Sequence, residues 1–470
     1  MAAVSAAVSH GDPVAPVILG VTSVLAFAIL GRVLARRSGQ PTVLGELLMG
    51  VLLGNVAWLL GFDLVAVLRE GPGVFDIINQ SLAGRPIDEA AAGLFGPDKG
   101  AELARIITGP RGGEVMQVAH AVDIFSRYGI IFMLFMVGIE TEIAELRKVG
   151  ADSMRVAIIG VVLPIGLGFV AISLLQPEME LNAKLFVAAT LVATSVGITA
   201  NVMREMGQLH SQEGRIVLGA AVVDDILGLV MLAVVTGIVV SGSVQLGEIA
   251  LVVASSTLFL GLAIGLGPAI VRSAANLMSR LDVVEAKMFT SYMFVMLLAW
   301  ATNLAGLATI IGAFAAGVVI HDGYFKTHKV NGGQRPLTVR ELIMPLEVIL
   351  VPIFFVLMGM QVKLESFLSW PIIVLAGGLL LAATVGKLLA GLGARRSQRN
   401  LAIGVGMLPR GEVGLVFAAI GRTLGVVDDA VFAAIVLMVI VTTVATPPWL
   451  KALLGRGPQD HTPGQQGEAG

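Results

Sequence analysis

Residues 215–240 read RIVLGAAVVDDILGLVMLAVVTGIVV. The stretch is long and apolar enough to cross a bilayer as one helix. At its centre, in Val223-Asp224-Asp225-Ile226, stand two acids. One carboxylate at the middle of a membrane helix costs about 2.5–3.5 kcal/mol on insertion scales, so two in succession need a purpose. Neighbouring helix positions are rotated by about 100°. The two side chains therefore meet different surroundings: one can hold a counter-charge while the other faces a wet cavity.

The rest of the chain has the same character. Of its 470 residues 56% are hydrophobic and 14% charged, and the mean hydropathy of +0.89 excludes an ordinary soluble domain. The apolar residues recur in blocks of roughly 18–25, the length of spanning helices, without the strand alternation of a barrel. The 57 glycines suit helices that approach closely in lipid. The sequence predicts an all-α polytopic membrane protein of about thirteen spans. They begin near Val17, Pro41, Ser126, Met154, Leu185, Arg215, Glu248, Ala286, Gly306, Ile343, Phe367, Arg399 and Val431.

Basic residues gather in alternate short loops, among them Arg36 and Arg37, Arg147 and Lys148, Arg272 and Arg280, Lys326 to Arg340, and Arg395 to Arg399. The positive-inside rule assigns these loops to the cytoplasm, with the N-terminus outside and the C-terminus inside. Residues 1–16 carry no positive charge and read as an external tail rather than a cleaved signal. The transmembrane domain is expected over residues 17–456. Within it a long external insertion at 61–123 carries Pro72, Pro86, Pro97 and Pro110. Short helices are expected at 88–95 and 99–107, in a surface cover with no part in transport. Residues 457–470 are polar and read as a disordered cytoplasmic tail. The chain has no cysteine, which excludes disulfides, thiolate catalysis and iron–sulfur ligation. It lacks a phosphate-binding loop ending in Lys-Ser/Thr, so transport driven by bound ATP is not expected; nor is a nucleic-acid partner or a nucleotide domain.

Several polar groups fall at one depth. Asp224 is about 13.5 Å past Arg215, Lys387 about 12 Å before Arg395, and Thr194 to Gly197 about 10–15 Å before Arg204. Pro409 is about 15 Å past Arg399, and half of a bilayer core is about 15 Å. Two of these groups read as helix breaks. Ala193-Thr194-Ser195-Val196-Gly197-Ile198-Thr199 stacks hydroxyls and a glycine inside the fifth span. Met407-Leu408-Pro409-Arg410-Gly411-Glu412 places a proline, a glycine and two charges inside the twelfth. Proline removes an intrahelical hydrogen bond, and broken helices offer free carbonyls and helix ends at the depth where transporters hold ions. The two breaks are seven spans apart and so run in opposite directions, as an inverted repeat requires. The same offset pairs the fourth span with the eleventh and the sixth with the thirteenth.

Plainer roles exist for each group. Asp224 and Lys387 can form a structural pair. Arg410 and Glu412 can neutralise each other and the broken ends. Thr194, Ser195 and Thr199 can satisfy backbone groups. The six histidines sit in loops, tails or span ends, none with metal-ligand spacing to a midplane acid.

The motifs 193–199, Val223-Asp224-Asp225-Ile226-Leu227-Gly228-Leu229, Gly386-Lys387 and Pro409-Arg410-Gly411-Glu412-Val413-Gly414-Leu415 resemble those of bacterial cation/proton antiporters. The likeness is to the NapA-type sodium/proton exchangers, in the branch that also holds the Kef-like potassium/proton proteins. Gln40-Pro41-Thr42-Val43-Leu44-Gly45-Glu46 and residues 132–140 look like the early helices of the same family. The resemblance implies a fold with two crossed broken helices, a core domain and a dimerisation domain, working as a homodimer by an elevator-like movement in the bacterial inner membrane. It assigns the ion-binding aspartate to Asp225 and the lysine-paired one to Asp224. It places Thr194 in one crossed helix and Glu412 in the other. The long 61–123 insertion departs from the family pattern, as does the lack of the Kef group's nucleotide-binding domain.

These readings converge on a secondary transporter. Asp225 takes either a hard monovalent cation or a proton, with oxygens of Asp224, Thr194 and Ser195 nearby. Na+ is the expected cation, with Li+ and K+ as alternatives, and the charge count favours electrogenic exchange. No cofactor is expected beyond the transported ions, and no partner beyond lipid and a second copy. The alternatives are a Kef-like potassium/proton exchanger or efflux protein, and an ion channel or sensor on the same fold. An enzyme is excluded by the lack of a nucleophile–base constellation.

Overall fold

The computed structural model describes residues 12–454 apart from 13, 141–149, 196–198, 201, 204, 205, 207, 209, 210, 242–245, 279, 280, 305–307, 326–336, 366–368, 396, 398 and 411. Within helices, the side chains of residues 140, 222, 225, 241, 246–253, 255–257, 260 and 412 are also outside the described set.

Nine described helices are long and apolar enough to cross a membrane. They are α1 (Ala15–Arg37), α2 (Thr42–Leu59), α7 (Gly112–Glu140), α8 (Ala151–Leu175), α10 (Gln212–Ser241), α12 (Val283–Leu304), α14 (Val339–Met360), α15 (Trp370–Ala390) and α18 (Asp429–Leu454). The other expected spans fall on α11 (Leu246–Leu277), on α13 (Thr309–Val319), and on two interrupted segments. One of these holds α9 (Leu181–Thr190), and the other holds α16 (Asn400–Gly406) and α17 (Glu412–Thr423). The architecture is all-α and polytopic.

The chain divides into two compact units, one of Met1–Phe132 with Pro345–Leu364 and one of Met133–Met344 with Glu365–Gly470. Two of the boundaries fall inside α7 and α14, and the third follows α14.

In the first unit α1 packs along α2. The external insertion is not a loop: it folds as α3 (Asp63–Glu70), α4 (Val74–Leu82), α5 (Ile87–Phe95) and α6 (Pro97–Thr108). Gly71, Gly84 and Gly96, with φ of 80°, 97° and 80°, stop α3, α4 and α5, because only glycine takes this conformation without strain. Each is followed within two residues by a proline, which cannot continue the helix but suits the start of the next.

Buried polar bonds tie the insertion down. Arg69 on α3 donates to Asn55 Oδ1 at 2.7 Å and stacks 4.3 Å over the Trp58 ring. Asn55 in turn donates to the Val362 carbonyl at 2.9 Å. Lys363 meets Glu70 at 2.7 Å. The third span begins at Gly112, earlier than the expected Ser126. Polar residues Glu114, His120 and Asp123 disguised its first turns, but Val118, Ala119 and Val122 bury one helical face there.

The second unit contains the end of α7, α8 to α13, the start of α14 and α15 to α18. Its packing is symmetric under the offset of seven spans. α8 packs on α10 as α15 packs on α18, α8 on α9 as α15 on α16, and α8 and α15 pack on each other. A second signature lies in paired glycines. In the first unit Gly50 of α2 meets Gly359 of α14, where a Cβ on Gly50 would stand 2.2 Å from the Val356 carbonyl. In the second unit Gly317 of α13 meets Gly138 of α7, where a Cβ on Gly138 would stand 2.2 Å from the Phe314 carbonyl. In both pairs the obstructing carbonyl belongs to the residue three before the partner glycine. The crossings equate the second span with the ninth and the tenth with the third, again seven apart.

Candidate ion-binding site

The site is built in the second unit, where the two interrupted segments touch. α9 ends at Thr190 and the chain is non-helical through Ala193, Thr194 and Ser195. α16 ends at Gly406, and Leu408, Pro409 and Arg410 are likewise non-helical before α17. Each break leaves backbone groups without intrahelical partners, and in lipid these must be satisfied within the protein. Each break satisfies the other. Ser195 N donates to the Pro409 carbonyl at 2.8 Å. Thr194 Oγ1 donates to the Met407 carbonyl at 3.1 Å and Thr199 Oγ1 to the Gly406 carbonyl at 2.6 Å. The Arg410 guanidinium returns the exchange, donating to the Ala193 carbonyl at 2.7 Å. A further tie comes from α18, where Thr443 Oγ1 donates to the Arg410 carbonyl at 2.5 Å.

The carbonyls of Ala193, Gly406, Met407, Pro409 and Arg410 thus each hold a protein donor. This narrows the expectation that they serve as open ion ligands: only their second lone pairs remain.

Asp224 on α10 and Lys387 on α15 are both fully buried. Lys387 Nζ lies 2.9 Å from Oδ1 and 3.0 Å from Oδ2 of Asp224. Both oxygens therefore share one ammonium, and the charges offset each other where neither could stand alone. Gly160 on α8 makes room: a Cβ there would lie 3.3 Å from Lys387 Nζ. Arg410 is also fully buried, and Asp224 acts on it electrostatically. Its Nε and Nη2 have no hydrogen-bond partner among the described residues.

Asp225 follows Asp224 on α10, so its Cα is turned by about 100° from the paired acid. Glu412 is the first residue of α17, where a negative charge suits the helix N-terminus. The side chains of Asp225 and Glu412 lie outside the described residues. Thr194 and Ser195 are buried at the crossing. The structure thus joins Thr194, Ser195 and Arg410 in one hydrogen-bonded crossing, and Asp224 with Lys387 in one ion pair. Thr443 and Gly160 escaped the sequence reading. A threonine inside an apolar helix carries no outward signal, and a glycine beside a lysine is visible only once the helices are docked.

Below this site a core of small and branched residues packs α8, α10, α16 and α18 together through Val156, Val217, Ala220, Ile403, Val405 and Leu450. Such close packing of small side chains holds helices together where lipid is as apolar as the protein.

Comparison with known proteins matches nearly the whole chain to one family. Residues 23–455 match the family model described as sodium/hydrogen exchanger, transmembrane. The high-affinity Na(+)/H(+) antiporter NhaS3 of Synechocystis is 34% identical over 458 residues, covering 96% of this chain and 92% of that protein. The Na(+)/H(+)-K(+) antiporter GerN of Bacillus cereus is 33% identical over 362 residues, covering 75% of this chain and 88% of its own. The sodium proton antiporter MjNhaP1 of Methanocaldococcus jannaschii shares the fold, with a TM-score of 0.61 at 16% identity over 94% of this chain and 100% of that one. With its paired charges, interlocked helix breaks and match across nearly its whole length, this integral membrane chain belongs to the transmembrane sodium/hydrogen exchanger family of transporters.

Proposed function

We propose that the protein exchanges Na+ for H+ across a bacterial plasma membrane as a NapA-type antiporter, with Asp225 as the carboxylate that binds cation and proton in turn. The observation that carries this reading is the Asp224–Lys387 pair. Both oxygens of Asp224 are engaged by one ammonium, so its charge is already answered. Asp225, one step round the same helix, is then the acid to which we assign the cation and the proton.

A hard monovalent cation prefers oxygen ligands. Thr194 spends its proton on a carbonyl and keeps lone pairs to offer. Ser195 stands beside it at the crossing. Cation and proton compete for one carboxylate, and this competition couples the two fluxes. An empty site with an unanswered charge is costly to move through lipid, which suppresses leak. The loaded crossing then faces the other side by alternating access, in a homodimer. Arg410 and Glu412 support the crossing, at the broken ends.

Similarity to the Na(+)/H(+)-K(+) antiporter supports K+ as the alternative cation. Proteoliposomes carrying a pH-sensitive dye, given Na+, Li+ and K+ in turn, test the choice. Dissipation of the pH gradient by Na+ and Li+ is expected; a response to K+ alone overturns the Na+ assignment. The exchange is electrogenic, with more than one proton per cation, and its rate responds to a potassium–valinomycin clamp. A rate indifferent to membrane potential contradicts that stoichiometry.

A further inference from the structure

We propose that Thr443 is a positioning residue of the ion site, its hydroxyl fixing the backbone of Arg410 and with it the guanidinium at the crossing. The inference rests on the exchange reading above.

α18 carries three buried threonines, Thr442, Thr443 and Thr446. Thr442 donates to the Met438 and Val439 carbonyls, and Thr446 to the Thr442 carbonyl. Both follow the usual habit of hydroxyls in apolar helices, bonding back to their own turn. Thr443 alone of the three leaves its helix: its described bond runs to the Arg410 carbonyl.

That carbonyl belongs to the non-helical stretch ahead of α17. The crossing holds this stretch from one side, through Ser195 N on the Pro409 carbonyl and the Arg410 guanidinium on the Ala193 carbonyl. Thr443 holds it from α18. Arg410 is fully buried and makes one described side-chain hydrogen bond, so its place depends on where its backbone is fixed. Held at the crossing, its guanidinium fixes the Ala193 carbonyl and with it the neighbouring oxygens of Thr194 and Ser195 that the cation would use. A guanidinium that draws back lets a proton compete better with the cation.

The test compares wild type with Thr443→Val, Thr443→Ala and Thr443→Ser in proteoliposomes, with Thr442→Val as the control for losing a buried hydroxyl. Losing the donor is expected to raise the cation concentration for half-maximal exchange by about three- to tenfold. The pH of half-maximal exchange should move upward by about half a unit. Thr443→Ser should restore both, and Thr442→Val should change neither. Thr443→Ala serves the same comparison if the Val branch prevents folding. Wild-type affinity and pH profile in either folded donor-less variant overturn the proposal, as does a Ser variant that behaves like Val. Asp225→Asn is read in the same assay. If that variant exchanges normally, the site reading fails; if it is inactive while Thr443→Val is normal, only the role of Thr443 fails.

Discussion

A lysine with no exposed surface, in helices built for lipid, is tolerable only while a carboxylate shares its charge. Removing one member of such a pair leaves the other buried and unanswered, at a cost of about 3–5 kcal/mol, whereas removing both relieves it. Lys387→Ala is therefore expected to lower the thermal stability of the purified protein strongly. The double variant Asp224→Ala/Lys387→Ala should lose less than that single change. Unfolding followed in detergent checks this; additive losses would mean the two charges do not interact. Asp224, Lys387 and Arg410 were legible in the sequence because a charge inside an apolar run has few reasons to exist. Thr443 was not, because most hydroxyls in such helices bond to their own turn and only the docked structure shows which one does not.

At the scale of elements, the fifth and twelfth spans are stable as broken helices because each break supplies the donors the other lacks. Thr199→Val removes a 2.6 Å bond to the Gly406 carbonyl and should cost about 0.5–1.5 kcal/mol of stability, read as a lowered unfolding temperature. An unchanged temperature would show that the breaks hold without it. The glycine pairs carry a similar expectation. Gly50→Val and Gly317→Val put side chains where backbone already stands, and should each destabilise by about 1–3 kcal/mol. Tolerance of either would remove the close crossing. Proline and glycine inside an apolar run made the interrupted spans readable, and the alternation of basic loops made the span order readable. The repeat in the glycine crossings was hidden because most flanking side chains differ between halves, Val51 and Val318 apart. The external helices were half-visible: 88–95 and 99–107 were anticipated, but α3 and α4 were not. Arg69 looked like a loop charge until its burial against Asn55 and Trp58 was seen. Arg69→Ala strips the buried Asn55 of its charged partner and should lower stability by about 1.5–3 kcal/mol while leaving apparent cation affinity unchanged. A changed affinity would bring the insertion into transport.

For the molecule as a whole, the proposed exchange rests on one carboxylate. Packing, paired charges and interlocked breaks hold together the unit whose α10 carries residue 225, and membership of the exchanger family says what kind of traffic passes. The most direct measurement is cation-driven proton movement by purified Asp225→Asn in proteoliposomes, alongside wild type and with the folded state of each confirmed by its unfolding temperature. A folded variant in which Na+ no longer moves protons is the expected result. A folded variant that exchanges at wild-type affinity would contradict the central claim.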